Sequence, residues 1–278
     1  MEKFLRIYKS RIEVCLDEFL KKKEKELSKI NPWGRDAIKR LRVFAKRGKT
    51  LRGALVILSY LLKQKKVSRE AIAAAAAMEL AHSSLLIHDD IMDEDFWRRG
   101  RKTIFAQYAA LAPKRKKARR FGESMGICAG DLGFFLAFEI LPERLRPVFA
   151  KELAAVCTGQ MQDVYFVSGG RAGRAEVLRM YRYKTARYTF SLPFLMGGVL
   201  AGLPASLLEE LEKFGELCGI VFQLRDDELD GSSNARFLKG ERRKFERRAV
   251  AALKKLNLPR DKKRLLEAAF LFAGARAR

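Results

Sequence analysis

Apolar residues recur three and four positions apart along almost the whole sequence, and this period limits the possible folds more than any other feature. Ile12, Leu16 and Leu20 follow it near the N-terminus, and Leu207 and Leu211 follow it much later. The spacing matches an α-helix, with its turn of about 3.6 residues, whereas a half-buried strand alternates every second residue. No stretch gives a convincing strand pattern. The sequence therefore predicts an all-α fold.

Proline and glycine residues mark the predicted ends of the helices. The predicted breaks are "NPWG" (31–34), "RRG" (98–100), "LAP" (111–113), "SGGRAG" (168–173) and "NLP" (257–259). Ser68 is a predicted N-cap for the alanine-rich helix that follows it. No linker rich in glycine, proline or serine divides the 278 residues, of which 48% are hydrophobic. We therefore predict a single domain over residues 1–278.

One uncharged stretch, from Tyr188 to Leu208, is long enough to span a bilayer. It contains two prolines and three glycines, which interrupt a continuous helix. The stretch therefore predicts buried helices broken by a loop.

The four cysteines lie far apart and none belongs to a CxxC pair, which argues against a disulfide framework and against a zinc site. Residues 1–27 carry a charge every few positions and contain no uninterrupted apolar region, which is not typical of a signal peptide. We therefore expect a cytoplasmic protein with free thiols.

Two identical acidic triplets stand out in a chain whose formal net charge is +24. Both have the form D-D-x-x-D, and their members are Asp89, Asp90 and Asp93 in the first and Asp226, Asp227 and Asp230 in the second. On a helix, these spacings place all three carboxylates on one side, where they repel one another. Two solvated acidic turns would be the ordinary explanation, but neither triplet contains a compensating lysine.

Carboxylates without histidine or thiolate neighbours suit hard cations, and Mg²⁺ binds through a few carboxylates together with waters and phosphate oxygens. The triplets therefore predict sites for Mg²⁺, or for Mn²⁺ in its place. Basic residues stand nearby, with Arg98 and Arg99 after the first triplet and Lys49 and Arg52 in "KRGKTLRG" (46–53). Guanidinium groups bind phosphate oxygens bidentately, so a phosphate-bearing substrate is expected.

Five elements in consistent order resemble those of the all-trans polyprenyl (isoprenyl) diphosphate synthases. The elements are "GKTLRG", "ELAHSSLLIHDDIMDEDFWRRG", "GQMQD" (159–163), "YKTARYT" (183–189) and "GIVFQLRDDELD" (219–230). The undivided D-D-x-x-D is most like that of short-chain geranylgeranyl and farnesyl diphosphate synthases of archaeal type. The resemblance implies an isoprenoid-synthase-type helical bundle around a deep central cavity, with the two triplets facing each other across its mouth.

The resemblance also implies a Mg²⁺-dependent prenyltransferase. Such an enzyme condenses isopentenyl diphosphate with an allylic diphosphate, releases pyrophosphate and is commonly a homodimer. The metal ligands implied are Asp89, Asp90, Asp93, Asp226, Asp227 and Asp230. Those implied for catalysis are Asp89, Asp93, Asp226, Lys184 and Arg98, the last of which grips the allylic diphosphate.

The implied ligands of isopentenyl diphosphate are Lys49, Arg52, His82 and Arg99. Lys184, Thr185 and Gln223 are implied to line the reacting centre. Asp131 and Asp163 also match positions of the family, and we expect them to make structural hydrogen bonds.

The resemblance also implies that the side chains four and five positions before the first triplet, Leu85 and Ser84, form the floor of the tunnel and so limit the length of the product. Neither carries the aromatic ring that stops short products, so farnesyl diphosphate is not expected as the sole product. Met78, nearly two helical turns deeper than Leu85, is the expected stop. Geranylgeranyl diphosphate is the first expectation, and a longer prenyl chain is the second.

The segment after the second triplet departs from the family pattern. A region rich in lysine and glycine usually follows, whereas "GSSNARFLKGERRKFERR" (231–248) stands here, with Lys239 as a substitute for one lost lysine. A catalytically weak or regulatory subunit of a heteromeric synthase is therefore the alternative. Two intact triplets favour the active enzyme.

Nucleic-acid binding is the alternative from another class, because the isoelectric point is about 10.1. Two basic runs, "PKRKKARR" (113–120) and "ERRKFERR" (241–248), have the required charge. Phe245 is the one aromatic residue within the two runs, so a series of stacking platforms is missing, and no nucleic-acid module is visible. No nucleic-acid partner is therefore expected. A basic surface in peripheral contact with anionic lipid headgroups is the expectation instead.

Overall fold

A computed structural model describes residues 1–46, 48–231, 238 and 240–274. Lys239, the expected substitute lysine, and residues 232–237 of the divergent segment lie outside the described residues.

The described chain is overwhelmingly helical, as predicted. The α-helices in chain order are α1 (Glu2–Leu27), α2 (Pro32–Ala45), α3 (Leu51–Tyr60), α4 (Arg69–Met92), α5 (Ile104–Ala109), α6 (Ala118–Ile140), α7 (Arg146–Val167), α8 (Arg174–Tyr181), α9 (Leu192–Ala201), α10 (Ala205–Asp230), α11 (Glu241–Lys255) and α12 (Arg260–Gly274). A π-helix, Arg182–Ser191, joins α8 to α9, and short 3₁₀ turns, Arg115–Lys117 and Glu143–Leu145, precede α6 and α7.

Of the five predicted breaks, 111–113, 168–173 and 257–259 lie between helices, and 31–34 spans the beginning of α2. Asn31 caps α2 by accepting a hydrogen bond from the backbone N–H of Gly34 at 3.1 Å, and Pro32 occupies the first helical position, where its missing N–H costs nothing. Ser68 caps α4 by accepting from the N–H of Ala71 at 3.1 Å. These local signals were sufficient because each cap involves residues only three positions apart.

A small hairpin departs from the all-helical prediction. The strands β1 (Trp97–Arg98) and β2 (Arg101–Lys102) are antiparallel, and Arg98 pairs with Arg101. Arg99 and Gly100 form the turn with φ angles of 51° and 72°. Two consecutive positive φ angles are typical of a two-residue hairpin turn. The predicted break at 98–100 is therefore a hairpin turn.

The uncharged stretch from Tyr188 to Leu208 is helical and broken by a turn, as predicted. It is buried almost throughout as far as Ala201, whereas Gly202 and residues 204–206 are exposed. It runs through the end of the π-helix and through α9, and it reaches α10 after a turn at Gly202, where φ is +70°.

Two helical segments of the described chain are long and apolar enough to cross a membrane, judged by length and composition alone. They are Arg69–Met92 and Arg115–Ile140, and 72% and 39% of their apolar windows are buried inside the protein. A core helix meets the same test.

The chain divides into two compact units. The first consists of Met1–Phe4, Ala54–Ala71 and Glu143–Arg278, and the second of Leu5–Gly53 and Ile72–Pro142. The single domain over residues 1–278 stays a prediction.

In the second unit, a row of four glycines on α6 allows close contact with other helices. Gly122, Gly126, Gly130 and Gly133 are buried or lie flush against a neighbour. A Cβ atom added to Gly126 would lie 2.8 Å from Ile91 Cδ1 and 2.9 Å from Phe105 Cβ, too close for a real contact. The row therefore determines how α6 packs against the end of α4 that carries the first triplet.

In the first unit, three glycines pack against the π-helix. Gly159 of α7 faces Lys184, and Gly215 and Gly219 of α10 face Ser191 and Ala186. A Cβ atom on Gly159 would lie 2.6 Å from the backbone nitrogen of Lys184. Backbone atoms cannot move aside as a side chain can, so the wide π-helix depends on these glycines.

Replacing Gly159 with Ala should lower the free energy of unfolding by about 1–3 kcal/mol, the usual cost of overpacking. The direction of this change is informative, because a Gly→Ala substitution inside an unobstructed helix normally raises the free energy of unfolding by about 0.5–1 kcal/mol. Urea unfolding measures the difference.

Gly274→Ala in α12 is the matched control for that prediction. Its Cβ atom would meet only Val221 Cγ1, at 3.9 Å, so this variant should be neutral or slightly more stable. A stabilised Gly159→Ala protein would contradict the proposed contact with the π-helix.

Candidate active site

The first acidic triplet lies where α4 ends, and its members do not all face one way. The backbone N–H of Asp93 donates to the carbonyl of Asp89 at 2.8 Å, which closes the last turn of the helix and places these two residues, four positions apart, on one face. Asp89 is half-buried and Asp93 exposed, but Asp90 is fully buried. The expectation that all three carboxylates share one side therefore holds for the outer pair alone.

The carboxylate of Asp90 forms an ion pair with Arg98 of β1. The Nε of Arg98 donates to Asp90 Oδ1, and a second, longer ion pair of 3.6 Å joins Arg98 to Asp95. The other oxygen, Asp90 Oδ2, is buried without a hydrogen-bond partner among the described residues. Burial raises the pKa of Asp90 to about 6, although Arg98 acts in the opposite direction. Asp90 thus orients the guanidinium of Arg98.

A second group of predicted residues gathers around His82, two helical turns before Asp89. Arg52 Nη1 lies 3.1 Å from His82 Nε2. Burial holds the pKa of His82 well below its usual value, and the nearby charges of Arg52, Arg99 and Arg98 lower it further. Because arginine can only donate, the neutral imidazole accepts on Nε2 and carries its proton on Nδ1.

Glu79 positions this group, and the sequence interpretation missed it. Its Oε1 accepts from the backbone N–H of Gly53 at 2.7 Å, which caps the beginning of α3 one residue after Arg52. Burial raises the pKa of Glu79, against the lowering effects of Gly53 and Arg52. The available signal was a lone carboxylate in the alanine-rich run "AIAAAAAMELAH", since a buried acid needs partners.

Lys49 precedes this cap and is exposed. Thr50, between Lys49 and α3, is buried and adopts a left-handed backbone with φ of 55°. This backbone conformation is unfavourable for threonine, so the surrounding contacts must stabilise the turn that carries Lys49.

The second triplet repeats the arrangement of the first at the end of α10. Asp226 is half-buried and Asp230 exposed, whereas Asp227 is buried. Asp227 accepts hydrogen bonds from the hydroxyl of Tyr181 and, at 2.9 Å, from Gln223 Nε2. Each triplet therefore has a buried central carboxylate and an outer pair on the accessible side.

Gln223 connects this triplet to the π-helix. Its Oε1 accepts from the hydroxyl of Thr185 at 2.9 Å, so Thr185, Gln223 and Asp227 form one hydrogen-bonded chain. The structure thus joins Thr185 and Gln223, both predicted for the reacting centre, to the second triplet. Tyr181 completes the chain, and no motif in the sequence singled it out.

Lys184 on the π-helix forms an ion pair with Asp163 of α7. The expected structural hydrogen bond of Asp163 is confirmed, and its partner is this lysine. Asp131 of α6, the other such expectation, lies 3.4 Å from His88 Nε2. π-Helices are rare and often occur at functional sites, and here the π-helix carries both Lys184 and Thr185.

Arg187 anchors the π-helix to its neighbours. It makes a bidentate pair with Glu152 of α7, with N···O distances of 2.8 and 2.6 Å, and it also contacts Glu212 and Glu216 of α10. Glu152 is 2% exposed, and its carboxylate raises the pKa of Arg187. Removing one partner of such a buried ion pair destabilises a protein by several kcal/mol. The ion pairs of Arg187 therefore hold the π-helix in place.

The carboxylates suit a metal that arrives with a phosphate ligand. In the part of the chain that the structure describes, no three His, Cys, Asp or Glu side chains form a ready-made metal cage. Mg²⁺ does not require one, because it is usually bound by one or two carboxylates with waters and substrate phosphates. The outer pairs, Asp89 with Asp93 and Asp226 with Asp230, fit that mode. Metal ligation by all six aspartates stays a prediction.

Residues 37–241 match the Polyprenyl synthetase family. A short chain isoprenyl diphosphate synthase of Methanocaldococcus jannaschii is 34% identical over 191 residues, which cover 66% of this chain and 54% of that protein. A geranylgeranyl pyrophosphate synthase of Geoglobus acetivorans is 36% identical over 205 residues, covering 68% and 57%. The chain spans about half the length of the curated relatives it matches.

Solved structures have the same fold. The geranylgeranyl pyrophosphate synthetase of Geoglobus acetivorans superposes with a TM-score of 0.74 at 27% identity, covering 97% of this chain and 100% of that one. A geranylgeranyl pyrophosphate synthase of Corynebacterium glutamicum, complexed with isoprenyl diphosphate and magnesium, gives 0.84 at 23% identity, covering 100% and 99%. At 23% identity, that likeness shows the fold alone.

The environment of His82 predicts a pH dependence of stability. The unfolded chain binds a proton on His82 below about pH 6.5, whereas the folded protein does not, because burial and three arginines oppose the charge. The free energy of unfolding therefore carries no penalty from His82 well above that pH, and it declines as the pH falls below it. His82→Gln keeps an acceptor for Arg52 but does not titrate.

Between about pH 7 and about pH 5.5, wild type should lose about 1 kcal/mol more unfolding free energy than His82→Gln. Urea unfolding of both proteins at each pH measures this. Because every other group titrates equally in the two proteins, equal losses would show that His82 is protonated in the folded state.

Proposed function

Because the chain belongs to the polyprenyl synthetase family, we propose that it is a trans-prenyltransferase. It condenses isopentenyl diphosphate with an allylic diphosphate and releases pyrophosphate. The observation that carries the proposal is the paired construction of the two triplets, each with a buried central carboxylate and an accessible outer pair. Solvated acidic turns would have no reason to share that construction.

The outer carboxylates, Asp89 with Asp93 and Asp226 with Asp230, would hold Mg²⁺, which would supply positive charge to the diphosphate as the pyrophosphate leaves. Arg98, aimed by Asp90, adds a fixed guanidinium for the same developing charge. The carbon–oxygen bond of the allylic substrate then breaks, and both electrons leave with the pyrophosphate.

Isopentenyl diphosphate is held by the residues around His82. Arg52 and Arg99 supply guanidinium groups and Lys49 an ammonium for its diphosphate. Neutral His82 keeps Arg52 in one orientation by accepting its hydrogen bond, and Glu79 keeps the beginning of α3 in place. Fixed donors of this kind need no rearrangement when the substrate reacts.

The allylic cation forms near Lys184, Thr185 and Gln223. The oxygen atoms of Thr185 and Gln223 supply dipoles that stabilise positive charge, and their mutual hydrogen bond fixes the direction of both. The ion pair with Asp163 offsets the charge of Lys184, which would otherwise repel the cation. The double bond of isopentenyl diphosphate attacks the cation, and loss of a proton completes the condensation.

A homodimer is part of the proposal. Exposed apolar residues on α6, Ile127 at 44% and Phe135 at 74%, are available to a second copy. Nucleic acid is not proposed as a partner, and the expected cytoplasmic location stays a prediction.

Purified protein should elongate an allylic diphosphate with isopentenyl diphosphate only when Mg²⁺ or Mn²⁺ is present. Asp89→Asn and Asp226→Asn should each lower turnover at least about a hundredfold, as loss of one electrostatic group commonly does. Product formation from radiolabelled isopentenyl diphosphate, with and without EDTA, measures both effects.

Asp261→Asn, at an exposed position of α12, is the matched control and should retain full turnover. Circular dichroism verifies that every variant keeps its helices. Metal-independent elongation would refute the metal role. Absence of elongation under all conditions would favour the regulatory-subunit alternative.

We propose geranylgeranyl diphosphate as the main product. Leu85 is half-buried on the same face of α4 as His82 and Asp89, and Met78, deeper on that helix, is fully buried. Ser84 instead lies against Gly133 of α6 and donates its hydroxyl hydrogen to the Leu80 carbonyl at 3.1 Å. Leu85 rather than Ser84 therefore limits the chain first, and neither has an aromatic ring.

Leu85→Phe should shift products towards farnesyl diphosphate, since the ring occupies space that the growing chain needs, and Met78→Ala should shift them to longer chains. Chromatography of dephosphorylated products measures the distribution. Ser84→Ala, which keeps a small side chain against Gly133, is the control and should leave it unchanged. An unchanged distribution in Leu85→Phe and Met78→Ala would place the stop elsewhere.

A further inference from the structure

The segment from residue 111 to residue 121, here called the basic corner, leads from α5 into α6 and concentrates positive charge on one surface. Six of the seven residues at 114–120 are cationic, and all six are exposed; they are Lys114, Arg115, Lys116, Lys117, Arg119 and Arg120. The beginning of the long helix α6 adds the positive end of its dipole. The proposed reaction uses none of these residues.

Most of this charge is uncompensated. Arg119 pairs with Glu94 and Glu123, but among the described residues no carboxylate lies within ion-pair distance of the other five cations. The other basic run is compensated to a larger extent, because Arg242 in α11 pairs with Glu228 and Glu246 and Lys244 pairs with Glu241. The basic corner therefore suits an external anion.

An apolar pocket lies within the same surface. Its volume is about 410 Å³, Pro113 and Phe121 contribute to its walls, and Lys114, Lys117 and Arg120 also line it. No acidic residue is among the lining residues. Leu111, just before the pocket, is 50% exposed. The ligand should therefore present anionic groups next to apolar ones.

We infer that the basic corner docks onto the surface of an anionic phospholipid membrane. The cations contact lipid phosphates, and Leu111 and Pro113 enter the headgroup layer. Peripheral binding is strongest when apolar burial and attraction to anionic lipids act together. This docking goes beyond the proposed catalysis and requires no substrate.

The same features disfavour a nucleic acid as the partner. Single strands bind through phosphate contacts combined with stacking of bases on exposed aromatic rings. Phe121, the aromatic residue of the basic corner, already packs edge-on against Trp33 with a centroid distance of 6.2 Å. An exposed leucine and an apolar pocket make no favourable contacts with a phosphate backbone.

The test is co-sedimentation of the full protein with vesicles of phosphatidylcholine, with and without roughly 30% phosphatidylglycerol. Binding should require the anionic lipid and should weaken as salt rises from roughly 0.1 M to roughly 0.5 M. The triple variant Lys114→Gln, Lys117→Gln and Arg120→Gln should lower the partition coefficient by about a hundredfold. Leu111→Ser, which changes no charge, should lower it by roughly tenfold.

A matched triple variant removes the same charge elsewhere. Arg243→Gln, Arg247→Gln and Lys254→Gln neutralise three exposed cations of α11 and should change vesicle binding only slightly. Equal losses in the two triple variants would overturn the inference, because binding would then follow from the net charge of +24 alone. Preference for a single-stranded RNA oligonucleotide over vesicles would also overturn it.

Failure of vesicle binding is distinguishable from failure of the proposed catalysis. Co-sedimentation uses no diphosphate, and prenyl transfer to water-soluble substrates needs no vesicles. The triple variant at the basic corner should therefore keep wild-type turnover in detergent-free buffer. Loss of turnover together with vesicle binding would assign these cations to the active site and contradict the inference.

Discussion

A buried carboxylate at the centre of each acidic triplet organises the polar residues around it. An ionised carboxylate inside a protein loses several kcal/mol of hydration unless donors replace the water. Arg98 meets this requirement for one oxygen of Asp90, and Tyr181 and Gln223 meet it for Asp227. The need to satisfy a buried charge therefore sets the positions of residues that the proposed reaction uses.

Close packing of backbones makes these arrangements possible. The glycine row on α6 lets α4 approach with Ser84 and His88 facing α6. Gly159 and Gly219 do the same on either side of the π-helix, which then carries Lys184 and Thr185. Helix separations are normally about 8–10 Å, and glycine is the residue that permits closer contact.

Charge is distributed in two ways in this protein. Near the site, cations are fixed by neighbours, as Arg98 is by Asp90 and Lys184 is by Asp163. In the basic corner, five of six cations lack carboxylates among the residues described. Fixed charges can stabilise a reacting group without reorganisation, whereas unpaired surface charges attract a large anionic partner. The net charge of +24 therefore does not show that cations are paired near the site and unpaired in the basic corner.

The sequence by itself determined the helical class, several of the helix ends and the presence of two D-D-x-x-D triplets. Period, capping residues and glycine or proline breaks are local properties, so the Asn31 and Ser68 caps could be predicted without the fold. Only tertiary structure decided that Asp90 and Asp227 turn inward, that Glu79 caps α3, and that residues 182–191 form a π-helix. A helical wheel gives angles between side chains but not which side meets the core, and Glu79 lies 26 positions from Gly53. Such contacts depend on chain segments that meet only after folding.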